Sequence, residues 1–146
     1  MAEIFSDEYF MEKALHEARE ALDKNEIPIG AVIVSKNKII GKGHNLTETL
    51  NDVTAHAEML AITSAAGYLG GKYLSECTLY ITLEPCTMCA GALYWSQIGK
   101  IVVGAEDQKR GFRKIGNLLH PRTGITFGVK EEECSRLLKD FFKEKR

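Results

Sequence analysis

Four residues of this 146-residue chain have the types and spacing of a hydrolytic metal site. Cys86 and Cys89, in the run Pro85-Cys86-Thr87-Met88-Cys89, stand three positions apart. At a helix start such a pair projects from one face, and thiolates there face the positive end of the helix dipole. His56, in His56-Ala57-Glu58, offers a third donor from the start of another helix. Zinc takes four tetrahedral ligands, and a catalytic zinc commonly leaves one position to water. The count of three therefore favours catalysis, and one nitrogen with two sulfurs favours zinc over other metals. Zinc brings the pKa of its water from about 15.7 to roughly 7, giving hydroxide near neutral pH. The natural target is an amidine-like carbon, such as C6 of adenine or C4 of cytosine. Ammonia leaves such a carbon only after its nitrogen is protonated, so a proton carrier is needed beside the metal. Glu58 suits that task without ligating, because burial in a closed pocket raises a carboxyl pKa into the working range.

Other readings of the same residues are a thioredoxin-type redox pair and a closed structural zinc site completed by His44 or His120. The proline before Cys86, and a His-x-Glu lying one helix and one strand upstream, point instead to the zinc nucleobase deaminase pattern. Cys77 and Cys134 are isolated in the chain and read as small buried apolar residues. Four cysteines so placed are no disulfide framework.

The elements that must position these residues can be read from pattern. Ser6 caps a first helix, with Asp7 and Glu8 at its positive end. Phe10, Met11, Ala14, Leu15, Ala18, Ala21 and Leu22 carry its apolar face until about Asn25. Ala31 to Val34 is a buried strand, Ser35 to Lys38 a turn, and Ile39 to Gly43 a returning strand. Asn45 to Val53 reads as a loop. Thr54 is the expected cap of a second helix, Ala55 to Ala66, ended by Gly67. Thr78 to Leu83 is a third strand, Cys86 to Ser96 a third helix led by Pro85, and Ile101 to Ala105 a fourth strand. A short strand at Ile125 to Val129 and a last helix from Glu131 to Lys143 complete the chain. This order predicts an α/β fold with helices on both faces of a sheet, mixed because it opens with a hairpin.

The length suits one domain over residues 1–146, and no repeat or linker divides it. No apolar run approaches the ~18–20 residues of a membrane span, and Met1 to Asp7 lacks the pattern of a signal peptide, so the expected location is cytoplasmic. Net charge is −1, which by itself predicts no nucleic-acid partner. The distribution is more telling: Gln108 to Lys130 contains no acid but holds Lys109, Arg110, Arg113, Lys114, Arg122 and Lys130. A basic surface is expected there.

Three runs carry a resemblance: Ile27-Pro28-Ile29-Gly30-Ala31-Val32, Thr54-Ala55-His56-Ala57-Glu58-Met59, and Thr78 through Ala92 with its Glu84-Pro85-Cys86-Thr87-Met88-Cys89 centre. The chain resembles the bacterial tRNA-specific adenosine deaminases of the cytidine deaminase-like superfamily. The likeness extends through Gly104 to Lys109 and on to the final helix and its basic tail. It implies a three-layer α/β/α sandwich around a five-stranded mixed sheet, a homodimer, one zinc ion per subunit, and conversion of adenosine to inosine at the wobble position of a tRNA anticodon arm. By motif, His56, Cys86 and Cys89 are the zinc ligands and Glu58 the proton shuttle. Asn45 matches a residue that binds the target nucleoside, and Asp107 and Lys109 match positions that hold neighbouring anticodon nucleotides. The backbone N–H groups of Ala57 and Cys86 are candidate donors to the base. One segment departs: Arg110-Gly111-Phe112-Arg113-Lys114-Ile115-Gly116 puts bulky and basic residues where relatives carry small ones, at the expected RNA-facing edge.

Two other functions fit the same motif. One is deamination of a free base or nucleoside, such as guanine or cytosine, for which Tyr94-Trp95 offers an aromatic pair; packing of the helix or of a dimer is the plainer role for that pair. The other is a non-catalytic, zinc-stabilised RNA-binding subunit, against which the retained Glu58 argues.

Overall fold

The computed structural model describes residues 4–145. Met1 to Glu3, at the head of the segment read for a signal peptide, and Arg146, in the basic tail, lie outside the described residues. The elements run α1 (Asp7–Asp23), β1 (Gly30–Ser35), β2 (Lys38–His44), α2 (Ala57–Leu69), β3 (Thr78–Leu83), α3 (Thr87–Ser96), β4 (Lys100–Ala105), β5 (Gly124–Phe127) and α4 (Glu131–Glu144), with one 3-10 turn at Phe112–Lys114.

The five strands lie in the order β2-β1-β3-β4-β5. β1 is antiparallel to both β2 and β3, while β3, β4 and β5 are parallel. The sheet is therefore mixed, as the hairpin and the resemblance both imply. The hairpin closes through Lys36 and Asn37, whose φ values of 51° and 62° are those of a type I′ turn that matches strand twist. Alternation along β1 separates two cores. Ala31 and Ile33 face α2 and α3 with Leu79, Ile81, Ile101 and Val103. Val32 and Val34 face the other way, with Tyr80 and Val102, onto Phe10, Met11, Ala14 and Leu15 of α1 and Cys134 of α4. The result is three layers, α/β/α.

Ser6 caps α1 as expected, its Oγ accepting from Tyr9 N at 3.1 Å. The second helix differs from expectation at both ends. Thr54 does not cap it: its N–H and hydroxyl both donate to Asp52 Oδ1, at 2.8 and 2.7 Å, in a turn two residues too early. The N-cap is His56, with extended backbone. Gly67 does not end the helix either; the chain continues to Leu69, and Gly70 terminates it with φ 69°. Gly67 sits in an exposed turn of helix where nothing opposes its φ/ψ.

What fixes α2 against the sheet is a close approach of backbones. Its inward residues are Ala57, Ala61 and Ala65, and it lies on Gly41 and Gly43 of β2. A Cβ at Gly43 would collide with the Ala57 carbonyl and stand 2.8 Å from Ala61 N; one at Gly41 would stand 2.6 Å from Ala61 O. Both contacts are with backbone, which cannot turn aside. Gly43→Ala is expected to cost about 1–3 kcal/mol by overpacking. Gly67→Ala, with nothing within 4 Å of the added methyl, should stabilise by about 1 kcal/mol through helix propensity. Urea unfolding midpoints of the two variants read the opposite signs.

Candidate active site

α2 and α3 begin side by side, and each places a ligand at its first position. His56 is the N-cap of α2 and Cys86 the N-cap of α3, both in extended backbone. Cys89 follows in the first turn of α3 and is fully buried. The extended N-cap geometry aims each side chain back over its helix's positive end. There His56 Nδ1 lies 3.7 Å from Cys86 Sγ and 3.5 Å from Cys89 Sγ. All three donor atoms fall within 4.8 Å of one another, and both cysteines are free thiols. A tetrahedral zinc with bonds of about 2.0 Å to nitrogen and about 2.3 Å to sulfur separates its ligand atoms by roughly 3.5–3.8 Å. The residues present fit one zinc ion, bound through Nδ1 of the histidine.

The thiols are electrostatically asymmetric. The neighbouring Cys89 thiol draws the Cys86 pKa down to about 5 against the opposing effect of burial, helped by the backbone N–H groups of Cys89 and Met88 and by the His56 ring. Cys89 moves strongly upward, because Cys86 holds the charge next to it and burial and Glu58 add to the penalty. Two thiolates this close share one proton unless a cation sits between them, which is the condition the three donors are arranged to accept.

Glu58 lies in the first turn of α2 and is 4 % exposed. Burial pushes its carboxyl up to about 7; its own backbone N–H opposes the shift and a charged Cys86 reinforces it. Its carboxyl lies against Cys89 and forms part of the wall of a cleft of about 1010 Å³. Asn45, His56, Ala57, Glu58, Cys86, Asp107 and Lys109 all line this one cleft. Cys89 lies behind its wall. Asn45 is pinned at the end of β2, its N–H donating to Ile29 O at 3.1 Å and its Oδ1 accepting from Thr47 N at 3.4 Å. The N–H groups of Ala57 and Cys86, at helix starts, have no intrahelical acceptor. Asp107 Oδ1 accepts from the N–H groups of Lys109 and Arg110 at 3.0 Å each, a turn that sets the rim.

The alternatives for a fourth zinc ligand do not reach the cluster. His44 Nδ1 is 3.0 Å from Glu17 and Nε2 is 2.9 Å from Lys24, and His120 packs beside Tyr94. Among the described residues the candidate metal set is these three alone.

The expected basic edge is narrower than its sequence. Lys109 and Arg110 line the cleft, joined by Lys145 of the C-terminal segment. Arg113 turns back onto Glu84 and Glu106, Lys130 pairs with Glu12 and Glu133, and Phe112 is buried. The divergent segment is thus partly an internal feature of the protein. Sequence reasoning also missed two buried acids. Glu26 accepts from Glu48 N at 3.2 Å and from both the N–H and hydroxyl of Thr49 at 2.6 Å. Burial disfavours its charge, but these hydrogen bonds prevail and hold the carboxyl below its ordinary value. It thereby ties down the loop after Asn45. Glu84 ties down the rim. Their only sequence signal is an acid directly beside an apolar run and a proline.

The metal reading predicts that Cys86→Ser, Cys89→Ser and His56→Ala each strip zinc from the purified protein. Glu58→Gln should retain it. Elemental analysis by mass spectrometry measures both, and a Cys89→Ser variant holding full zinc would count against the ligand set.

Residues 5–105 match the family described as the cytidine and deoxycytidylate deaminase zinc-binding region. The tRNA-specific adenosine deaminase of Aquifex aeolicus is 48% identical over 145 residues, covering 95% of each chain. That of Bacillus subtilis is 47% identical over 96% of this chain and 91% of its own. A solved structure from a study of A-to-I editing by tRNA:A34 deaminases superposes with a TM-score of 0.83 at 41% identity, over 89% of this chain and 99% of that one. The guanine deaminase of Nitrosomonas europaea superposes with a TM-score of 0.83 at 25% identity, over 93% and 84% of the two chains. Fold, ligand set and relatives agree, and the chain belongs to the zinc-dependent deaminases of the cytidine and deoxycytidylate type, within them to the tRNA-specific adenosine deaminases.

Proposed function

We propose that this chain converts adenosine to inosine by hydrolysis at the wobble position of a tRNA anticodon arm, working as one zinc-dependent deaminase domain over residues 1–146. The observation that carries the reading is the placement of the buried Glu58 carboxyl against a three-donor zinc set, in a cleft whose rim bears Asp107, Lys109 and Arg110. His56, Cys86 and Cys89 would hold the zinc, which would supply the Lewis acidity that makes water a nucleophile near neutral pH. Glu58 collects a proton from the attacking water and delivers it to the ring nitrogen. It then carries the second proton to the departing amine, so that ammonia leaves and a carbonyl remains. The N–H groups of Ala57 and Cys86 donate to the base, Asn45 binds the nucleoside, and Asp107 and Lys109 hold the flanking nucleotides. A base must leave its stack to reach such a floor, and single-stranded anticodon loops offer bases already unstacked.

The proposed substrate places the reaction in the cytoplasm. Among the described residues no helix is long and apolar enough to cross a membrane. A homodimer is supported by exposed apolar side chains: Val53, on the cleft wall, is 84% exposed and Trp95, near the C-terminal end of α3, 76%, with Tyr94 edge-on to Trp95. Exposed aromatic surface of this kind is typical of interface cores.

Nucleoside mass spectrometry of an anticodon stem-loop RNA treated with zinc-loaded protein should show inosine. Glu58→Ala should lower the rate by about 10²–10⁴-fold with zinc retained. Absence of inosine from a cognate RNA would sink the reading, and salt-insensitive turnover of free guanine would replace it with a free-base deaminase. Sedimentation should give twice the 16.3 kDa chain mass, and Trp95→Glu should return the monomer.

A further inference from the structure

Glu84 follows the last residue of β3 and precedes the metal ligand Cys86 by two positions; its side chain is 3% exposed. One segment of chain supplies the donors that converge on it. Asp107 N reaches Oε1 at 3.2 Å. Arg113 N and Nε reach Oε2 at 3.2 Å each, and Arg113 Nη2 reaches Oε1 at 3.2 Å. The loop between Asp107 and Arg113 is therefore held at both ends by a single carboxylate. Inside the loop there is room only for glycine: a Cβ at Gly111 would collide with the Glu84 carboxylate.

Further contacts lock the same inner side. Phe112 N–H donates to Pro85 O at 2.9 Å, and its ring is buried. The Arg113 guanidinium lies 3.7 Å over the Phe127 ring and reaches Glu106 at 3.2 Å. The outer side of the same loop is Asp107, Lys109 and Arg110, which line the cleft.

We propose that the Arg113–Glu84 pair is a positioning latch, which ties the cleft rim from Asp107 to Arg110 to the strand end that carries Pro85 and Cys86, and that Arg113, which does not line the cleft as Glu84 does, thereby sets how tightly RNA is held. The RNA part rests on the proposed substrate. A two-point guanidinium–carboxylate contact is strong in geometry as well as energy. Removing the guanidinium leaves the buried carboxylate with only the Asp107 and Arg113 N–H donors, and the loop gains freedom where it must hold a ligand. Arg113 faces two carboxylates, so its charge is answered within the protein rather than offered to a phosphate. The Arg113 guanidinium is spent on Glu84 and Glu106 and not on the zinc donors. Arg113 is a positioning residue, not a catalytic one.

The test compares wild type, Arg113→Ala, Arg113→Lys, Lys109→Ala and the Arg113→Ala/Lys109→Ala double variant, all zinc-loaded, on an anticodon stem-loop RNA. Arg113→Ala should raise KM about three- to tenfold through misplacement of the rim, with kcat and zinc content unchanged. Arg113→Lys, which keeps the charge but not the fork, should restore part of the loss. Because the latch acts through the rim, its effect should be less than additive with that of Lys109→Ala. The slope of log KM against log salt should not change. A slope shallower by about one marks a direct phosphate contact instead, and it overturns the latch, as do an unchanged KM or a fall in kcat with loss of zinc. Amide hydrogen exchange decides the point independently of substrate: residues 107–113 should exchange faster in Arg113→Ala while the first turn of α3 does not. Unchanged exchange there overturns the latch whatever the RNA result. A wild type that makes no inosine overturns the proposed substrate and leaves the exchange comparison to decide the latch.

Discussion

Two helix starts have to meet. The candidate zinc set needs a nitrogen from the head of α2 and two sulfurs from the head of α3, which lie 3.7 and 3.5 Å from that nitrogen, so both helices must be fixed to the sheet at their heads. α3 is brought there by β3, which runs directly into Pro85 and Cys86. α2 has no such direct lead, because a long loop separates it from β2. Its placement depends on Ala57, Ala61 and Ala65 settling onto Gly41 and Gly43. Small residues on both sides let a helix sit nearly backbone to backbone on a strand, and His56 is carried to the sulfurs as a consequence.

Three buried acids surround the cleft, and their surroundings separate their roles. Glu26 and Glu84 accept hydrogen bonds from backbone N–H groups and from fixed side chains, so each is an anchor for a loop. Glu58 is set against a sulfur and the cleft, with burial as the largest influence on its pKa. A carboxyl that is buried but poorly solvated by donors can take up and release protons near neutral pH. A carboxyl surrounded by fixed donors is instead suited to holding a loop in place. The same residue type is thus placed for the proposed proton transfer in one position and for holding loops in two others.

The strands were legible because their signal is local and redundant: apolar runs such as Ala31 to Val34 and Thr78 to Leu83 specify buried strands whatever surrounds them. The candidate zinc donors were legible because few chemistries explain Pro-Cys-x-x-Cys with an upstream His-x-Glu, and the fold brings the three together. The start of α2 was misplaced, since Thr54 has cap chemistry and only the turn formed with Asp52 diverts it. The end was misplaced because Gly67, a weak helix former, costs only about 1 kcal/mol inside a helix, and the chain runs on to Gly70, whose φ of 69° ends it. Arg113 and Phe112 misled in the same way. A run without acids reads as a basic surface, yet the acids that answer Arg113, at positions 84 and 106, and Lys130, at 12 and 133, come from outside the run.

By itself the sequence determined the class of chemistry, the order of the strands and helices along the chain, and which three side chains could hold a metal, because each follows from residue type and short-range spacing. Tertiary structure decided which charges face the cleft, which are consumed inside the protein, and how Glu26 and Glu84 hold the loops that shape it. Those outcomes depend on partners 22 to 29 positions apart in the chain, and no local pattern encodes a contact whose two halves meet only after the sheet has formed.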